Sequence, residues 1–267
     1  MAIRSVSARK CPKGAIQAAL FDFDGTLSTL RHGWEKVMKA LMVDCLGKFG
    51  SDAGLSDRID RYIDQSTGIQ TIFQMEWLAA QVAAQGGQPE GRDAWWYKDE
   101  YNRRLMAEVQ ARVDALKQDA SLRSRFLVRG SESFLKALRD AGVRLFLASG
   151  TDHADVVREA EALGMAEYFS VIRGAPERRA DCSKEAVLSM ILDGENLQPG
   201  SLLLVGDGKV EISLGVSRGA YALGIASDEA AGQGVNPVKE RRLVAAGADW
   251  IAGDFSDTRG LMETIGF

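Results

Sequence analysis

Residues 18–26 read Ala-Ala-Leu-Phe-Asp-Phe-Asp-Gly-Thr. The apolar run at its start predicts a buried strand, Ala18–Phe23, and Gly25 predicts the turn that ends it. Asp22 and Asp24 therefore leave the end of a strand together. Clustered carboxylates raise one another's pKa unless a cation neutralises them. A pair kept at such a cost points to chemistry: a nucleophile, an acid/base or a metal site.

Downstream of residue 128 the pattern alternates between strand and helix. Helices are expected over Ser131–Asp140 (capped by Ser131, with Gly142 past its end), Asp155–Leu163, Ser183–Leu192 and Val210–Arg218. Two more are expected over Val238–Ala246 and Thr258–Ile265. Strands are expected at Val143–Leu147, Phe169–Ile172, Ser201–Val205, Tyr221–Ile225 and Asp249–Ile251. Such alternation implies a parallel sheet covered on both faces, with ligands at the carboxyl ends of its strands. Between the first strand and this half the pattern is helical. Trp34, Val37, Met38, Leu41 and Met42 form one apolar stripe. Ile69, Ile72, Phe73, Trp77 and Ala80 form a second, and Trp95–Leu116 continues the block. The expected organisation is an N-terminal tail (1–15), an α/β core (16–30 and 128–267) and an inserted helical lid (31–127).

The chain has 267 residues, 46% of them hydrophobic and 26% charged, which is ordinary for a globular protein with a full core. Its net charge of -4 argues against nonspecific nucleic-acid binding, which needs a basic face. Cys11, Cys45 and Cys182 show no paired spacing, so free thiols in a reducing cytoplasm are expected. No apolar stretch approaches the roughly 18 residues of a membrane span. The first residues lack the apolar segment of a signal peptide and read as a loose tail.

Four strand ends or helix starts carry reactive polar residues. They are Asp22-Phe23-Asp24-Gly25-Thr26, then Ser149-Gly150-Thr151, then Lys184, then Gly206-Asp207-Gly208-Lys209-Val210-Glu211. In this order and combination they resemble the haloacid dehalogenase superfamily, over about two thirds of the chain. The helical insertion after the first motif resembles that family's C1-type cap, and the core its Rossmann-like parallel sheet.

The resemblance implies a role for each matching residue. Asp22 would be the nucleophile, forming an aspartyl-phosphate, and Asp24 the general acid and then base. Phosphatase members carry this second acid, whereas dehalogenases generally do not. Ser149 would bind the phosphoryl oxygens, with Gly150, Thr151 and the following helix start. Lys184 would neutralise the phosphate and Asp22. Mg²⁺ would be held by Asp22, the carbonyl of Asp24 and Asp207, with Glu211 standing where the family commonly has Asp. Three aspartates and a phosphate dianion against one lysine leave net repulsion, so a divalent cation is required.

The expected activity is hydrolysis of a small phosphorylated metabolite. A phosphomutase of β-phosphoglucomutase type would use the same four motifs, and a non-catalytic binding module on this fold is a further alternative. The leaving group would be read by Arg31 and His32 at the entry to the insertion, and by Thr67 and Gln70 in the polar break around Gly68. His153, at a helix start, is expected to be exposed. Trp95-Trp96-Tyr97 is expected to pack or hinge, and Gly232–Val235 to form a surface loop.

Overall fold

The computed structural model describes residues 3–49, 54–87, 91–178, 184–194 and 197–267. Cys182 and Ser183 lie outside the described residues. Strands β1 (Arg4–Ser5), β2 (Ala18–Phe21), β3 (Arg144–Asp152), β4 (Val171–Ala175), β5 (Leu202–Gly206), β6 (Tyr221–Ile225) and β7 (Trp250–Ala252) make one sheet. Their order is β1-β7-β6-β5-β2-β3-β4, and all neighbours are parallel except β1 with β7. From β2 the chain moves first to β3 on one side and later to β5 on the other. The carboxyl end of β2 is thus a switch point, where an open α/β sheet leaves a crevice.

Helices α5 (Ser131–Asp140), α6 (His153–Ala162), α7 (Lys184–Gly194), α8 (Lys209–Ser217), α9 (Pro237–Ala245) and α10 (Thr258–Thr264) accompany these strands. The two-residue period of β2 shows why both faces need cover. Ala19 and Phe21 join one apolar cluster with Phe134 of α5, and Ala18 and Leu20 join another with Leu188 and Ile191 of α7. Phe21 meets Phe134 and Phe169 edge-on, each at 6.2 Å between ring centres.

Helices α1 (Trp34–Leu46), α2 (Leu55–Gln65), α3 (Thr71–Ala84) and α4 (Ala94–Gln118) form the block between β2 and α5, and no strand occurs among its described residues. Each buries one stripe. Leu55, Ile59 and Ile63 are the buried face of α2, and Tyr97, Tyr101, Leu105, Val109 and Val113 that of α4. Tyr97 meets Trp96 edge-on, in keeping with a packing role.

Three expectations change. Arg4–Ser5, expected in a loose tail, pairs with β7, and Arg9 donates to the carbonyls of Gly219 and Ala220. Ser131 is not a cap: it lies inside α5, buried, and left-handed Gly130 (φ 77°) precedes the helix. A side chain on Gly130 would strike Phe255 backbone at 2.4 Å, so the close approach favours glycine where a serine cap was expected. Strand β3 also runs past Leu147 to Asp152, because a register shift between Ala148 and Asp152 lets pairing with β4 resume. Tyr221–Ile225 matches its expected bounds, and the remaining core elements shift by one to three residues at one or both ends.

Candidate active site

The loop after β2 is shaped by its backbone. Thr26, Leu27 and Ser28 all direct N–H groups at the Phe23 carbonyl, at 3.3, 2.9 and 3.0 Å, while buried Phe23 anchors the turn. Gly25 has φ 74°, and a Cβ there would lie 2.3 Å from Asp207 Oδ2. Only glycine lets this loop approach the end of β5 so closely. Asp22 and Asp207 are thereby brought together from strands paired side by side.

Lys184, at the start of α7, donates to Asp22 Oδ1 at 2.6 Å and to Glu211 Oε2 at 3.1 Å. The other oxygen of Glu211 accepts the Gly208 N–H at 2.6 Å, so the residue caps its own helix α8 while facing Lys184. Ser149 and Thr151 donate to Asp24 Oδ2 at 3.2 and 2.8 Å. Asp24 Oδ1 is buried and accepts no hydrogen bond among the described residues. Burial pushes the Asp22 carboxyl well up; Lys184 opposes this, and Glu211 and Asp207 add to it. Burial works against charge on Lys184 too, but Asp22 and Glu211 overcome it and hold the amine protonated.

These residues surround a cavity of about 100 Å³, lined by Asp22, Asp24, Ser149, Gly150, Thr151, Lys184 and Asp207 on the core side. Thr67, Gly68 and Ile69 close it from the helical block, and Trp34, Gln74 and Tyr101 complete the wall. A Cβ on Gly68 would stand 3.2 Å from Glu211 Oε2, so the loop between α2 and α3 rests directly on the acidic cluster. At roughly 10–15 Å³ for a single water, the cavity suits a small ligand.

Of the residues expected to read the leaving group, Thr67 and Arg31 line this cavity. The Arg31 guanidinium is engaged, however: Glu159 takes it through a fork of 3.1 and 2.6 Å, with Asp155 at 3.4 Å and Asp24 at 3.8 Å. His32 stands outside the lining, half exposed, its Nδ1 3.6 Å from Glu229. Gln70 is buried and borders a neighbouring apolar groove. His153 is exposed on a second cavity, where its Nδ1 accepts from Gly174 at 3.3 Å. That cavity lies beside Lys98, whose ammonium pairs with Asp152 and joins α4 to β3.

Lys239, Glu229 and Ser227 are not among the residues expected at the site. Lys239 Nζ lies 2.7 Å from Asp207 Oδ2, 2.6 Å from Glu229 and 3.2 Å from Ser227 Oγ. Ser227 in turn donates to the Gly25 carbonyl at 2.6 Å. One signal was present in the sequence. Asn236-Pro237 marks a helix start, and a cation in the first turn of a helix opposes the helix dipole. Such a lysine needs an acidic partner elsewhere.

The donor set fits a hard divalent cation. Asp22, Asp207 and Glu211 offer buried carboxylate oxygens within 4.8 Å of one another, without sulfur or imidazole in the cluster. Asp24, whose Oδ2 turns to Ser149 and Thr151, is not part of this cluster.

A family model described as haloacid dehalogenase-like hydrolase matches residues 16–216. No curated protein matches the chain. Among solved structures, a predicted phosphatase from Clostridium acetobutylicum is 19% identical with a TM-score of 0.61, over 93% of this chain and 99% of that one. A predicted phosphoglycolate phosphatase from Haemophilus somnus 129pt is 17% identical, TM-score 0.60, over 92% and 98%. A β-phosphoglucomutase from Clostridium difficile is 16% identical, TM-score 0.62, over 94% and 97%. At these identities the likeness concerns the fold.

Proposed function

This chain belongs to the haloacid dehalogenase-like hydrolase family, and from that premise we propose that it is a Mg²⁺-dependent phosphatase of a small phosphorylated metabolite. One observation carries the reading. Lys184 bridges Asp22 and Glu211 while Ser149 and Thr151 hold Asp24, all around one small cavity. That is a nucleophile, a cation and a separate acid/base directed at one point.

In this reading an oxygen of Asp22 attacks phosphorus as the bond from phosphorus to the leaving oxygen breaks. Asp24 gives its proton to that leaving oxygen. Water then attacks the aspartyl-phosphate, Asp24 takes a proton from it, and the bond to Asp22 breaks to release phosphate. Asp24 Oδ1, free of other hydrogen bonds among the described residues, is the atom available for both transfers. Lys184 offsets the charge of Asp22 and of the phosphoryl oxygens, which Ser149, Gly150 and Thr151 also hold. Asp22, Asp207, Glu211 and the Asp24 carbonyl would hold Mg²⁺, which supplies further charge stabilisation when bound.

Residues 31–127 act as the cap over residues 16–30 and 128–267. Its loop at Thr67–Ile69 excludes bulk water and limits the size of the leaving group. Unpaired Cys11 and Cys45 suit a cytoplasmic location.

The test is a panel of phosphorylated metabolites, read for free phosphate and for isomerised product, with and without EDTA. Hydrolysis that stops in EDTA and in Asp22→Asn is expected, with a loss of at least about a thousandfold for the variant, in line with removal of a nucleophile. Full turnover by Asp22→Asn refutes the mechanism, and isomerised product without free phosphate makes the protein a mutase.

A further inference from the structure

Among the described residues, the Asp207 carboxylate is gripped through one oxygen. Its Oδ2 takes the Lys239 ammonium at 2.7 Å. The same oxygen is packed so tightly against Gly25 that a Cβ there would lie 2.3 Å away. Lys239 is itself fixed: nearly buried, it is held by Glu229 and Ser227, and its backbone N–H by the Asn236 side chain. Arg242, one turn further along α9, donates to the Asp207 carbonyl at 3.3 Å. Helix α9 therefore holds Asp207 by both backbone and side chain.

We propose that Lys239 is a positioning residue that restricts Asp207 to monodentate ligation and so selects ions of Mg²⁺ size over Ca²⁺. The argument rests on the metal reading given above. With Oδ2 spoken for, Asp207 offers a metal one oxygen, Oδ1. Mg²⁺ needs six ligands in tight octahedral geometry and accepts single oxygens with water. Ca²⁺ takes six to eight, with longer bonds, and draws on bidentate carboxylates. Locking one oxygen therefore costs Ca²⁺ a ligand and Mg²⁺ none. The lysine's charge, close to the cluster, also lowers affinity for either ion, so its removal has a predicted sign as well as a predicted selectivity.

The experiment is calorimetric titration of MgCl₂ and of CaCl₂ into the full chain, with no substrate present. Wild type is expected to bind Mg²⁺ at least tenfold more tightly than Ca²⁺. In Lys239→Met both ions bind more tightly, Ca²⁺ gains more, and the ratio falls tenfold or further. Lys239→Met/Glu229→Gln removes the carboxylate that the single variant strands, and is expected to show the same loss of discrimination. Equal affinities in wild type overturn the inference without any variant. An unchanged ratio in a folded variant also overturns it. Binding of neither ion to wild type overturns the metal reading itself, which separates the two failures.

Discussion

Arg31→Met tests the packing between the entry to the helical block and the core. The Arg31 side chain is 8% exposed and that of Glu159 not at all. Their two hydrogen bonds, of 3.1 and 2.6 Å, form a fork that spans 128 positions of sequence. Removing the arginine strands a carboxylate without solvent. Breaking one side of a buried pair costs about 3–5 kcal/mol, because the remaining charge is left uncompensated. At about 2–4 °C per kcal/mol for a chain near this length, the midpoint should fall by roughly 6–20 °C.

The pH dependence has a definite sign. Burial already pushes Glu159 up, and Arg31 is the main opposing pull. Without it the folded-state carboxyl binds its proton at a higher pH than the unfolded one. Between those two values the folded state holds more protons, so its stability rises as pH falls. The deficit should be greatest at neutral pH and shrink toward the ordinary carboxyl range near about 4.3. Urea unfolding followed by circular dichroism, at several pH values, measures it. Arg31→Met/Glu159→Gln should recover most of the loss, since replacing both partners removes the stranded charge. A single variant within about 0.5 kcal/mol of wild type, or a deficit flat with pH, refutes the reasoning.

Gly25→Ala adds a methyl 2.3 Å from Asp207 Oδ2 at a residue with φ 74°. The left-handed backbone alone costs about 1–2 kcal/mol, and the clash displaces Asp207. Metal affinity measured by calorimetry should therefore fall by more than the stability loss explains, and unchanged affinity would contradict the geometry. Tyr62 stacks on Trp77 at 3.8 Å, and burial pushes its phenol up to about 12. The folded state then holds the extra proton between about 10 and that value, so stability falls as pH rises through this window. Spectrophotometric titration of wild type against Tyr62→Phe reads it, and a difference spectrum with its midpoint near about 10 would show the phenol to be freely solvated.

The parts of this fold that were legible are those coded locally. Tyr221–Ile225 is legible to the residue, because a strand covered on both faces is an unbroken apolar run. Three of the four motifs were legible for a related reason: each sits where an apolar strand run stops, and the sheet brings the stops together, while Lys184 stands at the start of α7. Arg31 shows the opposite case. Its sequence neighbours say nothing of Glu159, and only the folded chain brings the two side chains together. Lys239 was hidden for the same reason, since only the folded chain brings α9 to the end of β5. Arg4–Ser5 is too short and too polar to show a strand period at all.

That two-residue strand has a consequence for the protein's life in a crowded solution. Strand β7 is wholly apolar and buried, and its outer backbone would otherwise offer free N–H and C=O groups to any passing chain. Arg4 and Ser5 occupy those groups, at Ile251 and Trp250. Being short and carrying a charge tied to Glu240, they make a poor template in their turn. The sheet ends there in a stopper, and its resistance to edge-to-edge growth depends on two residues far from any chemistry.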